Sequence, residues 1–110
     1  MSDKWFYNET YRFNLYIYYG ISKASYVSNF KKEFDYDIDV EDLGFGQMSI
    51  CTKENQEVYT IWTEKKKPSI LAHEALHVVN AVFKERNILT ENDEAQCYLL
   101  EWIMRNVLGK

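Results

Sequence analysis

The sequence is poor in the features that direct a protein to export or into a membrane. Its only two cysteines, Cys51 and Cys97, are isolated and lack the C-x-x-C spacing. No stretch approaches the roughly 18 consecutive apolar residues of a membrane span, and the first ten residues, MSDKWFYNET, contain no apolar signal segment. We therefore expect a cytoplasmic protein without a membrane partner, whose cysteines stay reduced and form no disulfide.

The chain also lacks a basic excess, internal repeats, low-complexity segments and linkers. Its formal net charge is −4, so we expect no basic surface that nucleic acid would follow. Hydrophobic residues make up 46% of the 110 residues, and aromatic residues 16%. This composition predicts one globular domain, residues 1–110, with a single core.

Hydrophobic periodicity predicts the element order β-α-β-β-α-α. Residues 11–20 alternate loosely between faces and predict a strand, whereas residues 23–34 carry apolar side chains at helical spacing. The acidic run DYDIDVEDLG that follows predicts a loop, and it lacks the glycine and glutamate spacing of a calcium-binding EF-hand. The runs FGQMSICTK and EVYTIWTEK, joined by ENQ, predict a β-hairpin.

Two helices are predicted in the C-terminal half. The first follows Ser69 as its N-cap, runs to about Arg86 and is apolar on nearly every side. Thr90 and Asp93 resemble a capping box at the start of the last helix, which ends near Gly109. Each helix has one polar stripe, and two helices with a short connection can face such stripes toward each other. The stripes are His73, His77, Asn80 and Lys84, and Glu94, Tyr98, Glu101 and Arg105.

Both histidines of the chain lie in one apolar helical run, ILAHEALHVVNAVF, residues 70–83. His73 and His77 are four residues apart, so a helix places them on one face about 6 Å apart, which suits two ligands of one metal ion. Glu74 projects about 100° around the helix, where it is poorly placed as a ligand. It is well placed to act as a catalytic general base toward metal-bound water. The pattern predicts a hydrolytic Zn²⁺ site.

A hydrolytic zinc site needs a third protein ligand, which must be a carboxylate or a thiolate because the chain has no third histidine. Glu94 opens the last helix, whereas a tight antiparallel helix hairpin would place Glu101 opposite His77. Cys97 is a softer candidate that lies off the Glu94 stripe. Spacing alone leaves these alternatives open. Tyr98 is a candidate catalytic residue whose hydroxyl could stabilise a developing negative charge, and its alternative role is packing or hydrogen bonding to a ligand.

The segment HEALH, followed by NDEAQCYLLEWI, resembles a family of small phage-encoded proteins of metallopeptidase type. Their pattern is H-E-A-x-H, then an acidic turn, then E-x-x-A-Y-L-x-x-W, and the likeness covers residues 71–103. The resemblance implies that Glu94 is the third zinc ligand, because Glu101 falls where the family often has glycine. This chain departs from the pattern at Ala95 and Cys97, where proline and alanine are common.

More broadly, the arrangement resembles zincin peptidases, including the gluzincins and the repressor-cleaving peptidases. The resemblance implies an α+β fold, namely a minimal zincin-like domain with a small sheet of about three strands, including the hairpin, packed on the H-E-x-x-H helix and the C-terminal helix. In such enzymes an extended peptide or protein substrate pairs with a sheet edge beside that helix. By analogy, residues 57–63 would be the substrate-facing edge strand. The location would be the host cytoplasm if the protein is phage-encoded.

Two other interpretations compete with a metallopeptidase. The first is a non-catalytic zinc-binding phage protein that docks to a host protein, since 110 residues leave little wall for a substrate cleft. The second is a structural domain without metal. The presence of Glu74 favours the enzyme, because a purely structural zinc site needs no general base.

Overall fold

A computed structural model describes residues 3–88 and 93–109 as an α+β fold. Its elements in chain order are β1 Asp3–Asn8, β2 Phe13–Tyr19, α1 Lys23–Phe34, β3 Gly46–Lys53, β4 Gln56–Thr63, α2 Pro68–Glu85 and α3 Asp93–Leu108. A short 3₁₀ helix, Val40–Asp42, lies within the predicted acidic loop. The predicted order is confirmed from β2 onward, and β1 is an additional strand that the sequence interpretation missed.

The four strands form one mixed sheet in the order β1-β2-β4-β3. The β1–β2 and β3–β4 pairs are antiparallel, whereas β2 and β4 run parallel in the centre. The sheet therefore has four strands instead of about three. Because β4 lies between β2 and β3, the prediction that residues 57–63 form an edge strand is wrong. The edge strand of the hairpin is β3.

The sheet separates two layers of helices. Side chains of successive strand residues point to opposite faces, so Leu15 and Ile17 pack toward α2 and α3, whereas Tyr16 and Tyr18 pack toward α1. The strand β4 is buried on both faces, which explains its nearly continuous run of apolar and β-branched residues.

The bounds predicted for α1 are those observed, because local signals define this helix. The Ser22 side chain accepts a hydrogen bond from the Ser25 N–H at the N-terminus, and Asp35 ends the helix in the left-handed conformation. The buried residues Tyr26, Phe30 and Phe34 recur every four positions. The helix thereby packs an aromatic stripe against the sheet.

The turn between β3 and β4 contains two residues instead of the predicted three. Lys53 pairs with Gln56, which leaves Glu54 and Asn55 as the turn. Both have positive φ angles, 52° and 66°, as a type I′ hairpin turn requires.

The ends of α2 differ in how they are stabilised. Lys67 is the N-cap and makes no side-chain cap hydrogen bond, so the prediction of Ser69 as the N-cap is wrong. Pro68 begins the helix because its fixed φ and missing N–H suit the first helical position. At the other end, the Arg86 guanidinium donates to the Tyr11 carbonyl oxygen at 2.8 Å, which ties α2 to the β1–β2 turn.

The last helix, α3, ends as predicted, with Gly109 following it at a φ of 81°. The predicted capping residue Thr90 lies outside the described residues. None of the helices described has both the length and the apolar character needed to cross a membrane.

Candidate active site

The two histidines project from the exposed side of α2. Leu71, Ala75 and Val78, on the other side of the helix, are completely buried against the sheet and α3. This anchoring directs His73 and His77 outward, where their ring centroids are 4.9 Å apart and the ring planes meet at 84°. The predicted pairing of two imidazoles on one helix face is therefore present.

Glu74 lies beside this pair but in a different environment. Its side chain is only 7% exposed, and it lies against the start of β3. A Cβ atom on Gly46 would come within 3.1 Å of Glu74 Oε2 and 3.0 Å of Ile70 Cγ2, so glycine permits this close approach. Burial raises the pKa of the Glu74 carboxyl, while the nearby His73 and His77 act in the opposite direction. A raised pKa makes the carboxylate a stronger proton acceptor near neutral pH.

The strand β3 presents a free edge beside the first turns of α2. The Glu64 N–H donates to the Phe45 carbonyl oxygen at 2.9 Å, so odd-numbered residues of β3 make the hydrogen-bonded pairs with β4. The backbone groups of Met48 and Ile50 therefore point away from β4, toward the outside of the sheet described here. Glu74 thus lies next to a strand edge that can accept an extended peptide.

The last helix buries one side and exposes the predicted polar stripe. Leu99 and Ile103 are buried in the core, whereas Tyr98 is 64% exposed. The Tyr98 hydroxyl donates to Glu94 Oε2 at 3.3 Å. Glu101 forms the predicted i,i+4 ion pair with Arg105, at 3.2 Å.

The candidate third ligands lie on the last helix. Within residues 3–88 and 93–109, no three His, Cys, Asp or Glu side chains form a group that could hold a metal ion. Glu74 lies beside the exposed His73 and His77 on α2, and Glu94 and Glu101 are exposed on α3. The donor chemistry of two imidazoles one helical turn apart suits zinc. The identity of a third ligand is a proposal.

The two cysteines lie on opposite sides of the sheet. Cys51, on β3, packs toward α1, whereas Cys97 is exposed on α3. Burial raises the pKa of the Cys51 thiol. Neither position brings a thiolate to the histidine pair within a group that could hold a metal.

The sequence interpretation missed the free edge of β3 and the role of Gly46. The signal for the edge was present, because β3 mixes polar and apolar residues, whereas the β4 segment VYTIWT is apolar or β-branched throughout.

Comparison of the chain with protein-family models, curated proteins and solved structures gives no match.

Proposed function

We propose that the protein is a zinc-dependent metallopeptidase that hydrolyses peptide bonds, with His73, His77 and Glu94 as zinc ligands and Glu74 as general base. One observation carries the proposal. A buried carboxylate with a raised pKa lies directly beside two exposed imidazoles whose rings are 4.9 Å apart. The proposed setting is a cytoplasm, the host's if the protein is phage-encoded.

The zinc ion and the neighbouring side chains would each have a distinct role in the reaction. When bound, zinc would supply a Lewis acid that lowers the pKa of its water toward about 7. Glu74, shielded from bulk solvent, would take the proton of the attacking water and later deliver it to the leaving amine. Tyr98, whose hydroxyl now donates to Glu94, would donate to the oxyanion that develops on the substrate carbonyl.

The free edge of β3 would hold the substrate. The outward N–H and C=O groups of Met48 and Ile50 can pair with the backbone of an extended peptide. Backbone pairing does not depend on substrate side chains, so it orients a peptide without restricting its sequence. Because a Cβ atom on Gly46 would lie 3.1 Å from Glu74 Oε2, the start of β3 is beside the general base, and such a peptide would pass close to it.

A second candidate function is a non-catalytic zinc-binding protein that docks to a host protein. Exposed apolar residues on α2 and just before β3 support it. Leu76 lies between the two histidines in sequence and is 46% exposed, and Phe45, which directly precedes β3, is 63% exposed. Exposed apolar side chains mark interaction surfaces where they form a contiguous patch.

The Glu74→Gln variant separates the two functions. Glutamine keeps the size of the side chain but removes the base, so zinc content should persist while hydrolysis falls by about 10²-fold or more. Glu85→Gln, at the exposed end of the same helix, is the matched control and should leave both unchanged. Zinc is measured by elemental analysis and hydrolysis on a peptide library with mass-spectrometric detection.

The outcomes of this experiment are distinct. Full hydrolysis by Glu74→Gln would contradict the metallopeptidase proposal. Stoichiometric zinc without hydrolysis in the wild type would favour the docking function. His73→Ala and His77→Ala should each abolish tight zinc binding, and retention of zinc by either would remove the pair from the site.

A further inference from the structure

A cavity of about 730 Å³ lies on the α1 side of β3, across the sheet from the histidine pair. Its walls are the end of α1, the acidic loop after it, and β3. Four consecutive β3 residues, 49–52, line the cavity. All four belong to β3, an edge strand of the sheet, so the cavity lies beside that free edge. We call this cavity the α1 groove.

The lining of the α1 groove combines aromatic rings with carboxylates. Tyr36, which is 63% exposed, is its accessible ring, Phe30 and Phe34 are buried beneath it, and Asp37 and Asp39 supply two negative charges. Among the described residues that line it, none is lysine or arginine. Aromatic faces attract the stem and head of a cationic side chain, and carboxylates pair with the charged end.

Both carboxylates are held by local contacts that leave them accessible. Asp39 Oδ1 accepts a hydrogen bond from the Glu41 N–H at 3.0 Å, which fixes this carboxylate at the start of the 3₁₀ helix. Asp37 lies 3.5 Å from the Lys31 ammonium and is almost fully exposed. Because Lys31 partly neutralises Asp37, Asp39 should contribute more to recognition of a cation.

We propose that the α1 groove binds a lysine or arginine side chain of an extended polypeptide that adds to β3 as a fifth strand. Such a strand directs alternate side chains to opposite faces of the sheet. Its basic residue would enter the groove, while its neighbours in sequence would face α2 and Glu74. This inference rests on the proposed function, because it takes the added strand to be the substrate. It predicts that preferred substrates have basic residues at alternate positions.

Fluorescence anisotropy with labelled hexapeptides tests the docking without hydrolysis, using the full-length protein in the presence of a zinc chelator. The probes are an alternating Lys-Val peptide, a Glu-Val peptide of the same length, and the Lys-Val peptide methylated at alternate backbone nitrogens. The Lys-Val peptide should bind at least about tenfold more tightly than each of the other two. Equal binding of the methylated peptide would overturn strand addition.

Variants of the acidic loop test the groove itself. Asp37→Asn combined with Asp39→Asn should weaken Lys-Val binding about tenfold, and asparagine retains an oxygen that can accept from Glu41. Asp35→Asn combined with Glu41→Gln is the matched control, because it removes the same number of charges from nearby exposed residues that do not line the groove. An equal loss of Lys-Val affinity in the control would mean that the overall charge of the protein, and not the groove, determines binding. That result would overturn the proposal.

Cys51 provides an independent location test, because it lines the groove whereas Cys97 does not. Bound Lys-Val peptide should slow alkylation of Cys51 and leave Cys97 unaffected, and unaltered Cys51 reactivity would contradict binding in the groove. Docking that persists without any zinc-dependent hydrolysis would contradict the proposed function alone. Hydrolysis without Lys-Val docking would contradict this inference alone.

Discussion

Glu74 and its two neighbouring histidines are close in sequence but differ in solvation. The histidines are exposed, whereas Glu74 is buried between α2 and the start of β3. Helical geometry accounts for the difference, since adjacent residues project about 100° apart. A single helix thus sets the different directions of the base and the two histidines, and the contact with β3 shields the base from water.

Substitutions of Glu94 and Glu101 can identify the third zinc ligand. If Glu94 is the ligand, Glu94→Gln should weaken zinc affinity by orders of magnitude, because the metal loses its negatively charged ligand. Glu101→Gln is the matched control on the same face of α3. It should remove only an exposed pair with Arg105, worth about 0.5 kcal/mol. Zinc affinity is measured by competition with a chromophoric chelator, and the reverse ranking would make Glu101 the ligand.

The two cysteines should differ in reactivity and pH dependence. Burial raises the pKa of the Cys51 thiol, so less of the reactive thiolate is present at neutral pH. Below that pKa, each unit of pH should increase its alkylation rate about tenfold. Cys97 is exposed and is the internal comparison. Iodoacetamide modification followed by mass spectrometry should show Cys97 reacting first at pH 7.5, and equal rates there would contradict the burial of Cys51.

At the scale of elements, the contact between β3 and α2 positions the general base. A Cβ atom on Gly46 would meet Ile70, Glu74 and the backbone oxygen of Trp62, all within about 3.1 Å. The Trp62 backbone oxygen belongs to β4, one of the two central strands of the sheet, and cannot move easily. Gly46→Ala should therefore destabilise the protein by about 1–3 kcal/mol and displace Glu74.

Gly44→Ala is the control for this substitution, because a Cβ atom there meets nothing within 4 Å. Urea denaturation gives the two stabilities, and hydrolysis by the zinc-loaded protein reports the position of Glu74. A Gly46→Ala protein as stable and as active as Gly44→Ala would mean that α2 does not lie so close to β3.

The elements that the sequence predicted well are those with local signals. Helix α1 has a serine cap and a four-residue aromatic repeat, so its bounds needed no tertiary information. The strand β1 was missed because its segment DKWFYN places three aromatic residues in succession, without the alternation that marks a half-buried strand. The edge was misassigned because the analogy favoured the strand next to the helix in sequence.

The candidate site shows the same division between local and long-range information. The positions of His73, Glu74 and His77 follow from helical periodicity within five residues. The relation of Glu94 or Glu101 to that group depends on how α3 packs across α2, which no periodicity specifies. The α1 groove was not predicted, because it combines a helix end, a loop and a strand edge that are distant in sequence.

At the scale of the whole molecule, one sheet carries both clusters of buried residues. The histidine pair lies on the α2 side, and the α1 groove lies on the other side. The central strands contribute side chains to both clusters, as Tyr59 and Val58 do on β4. Loss of packing on one side should therefore be transmitted to the other, so that the domain unfolds as one unit.

Tryptophan fluorescence tests this cooperativity. Trp62 is buried in the α1-side cluster, so Trp5→Phe combined with Trp102→Phe leaves a single reporter on that side. In urea, its fluorescence transition should coincide with the far-ultraviolet circular dichroism transition of the same protein. Val79→Ala, in the buried face of α2, should then lower both midpoints together, with a cost of about 2 kcal/mol. If the circular dichroism midpoint shifts while the Trp62 fluorescence midpoint does not, the two layers unfold separately. Zinc bound on α2 could then not stabilise the α1 groove.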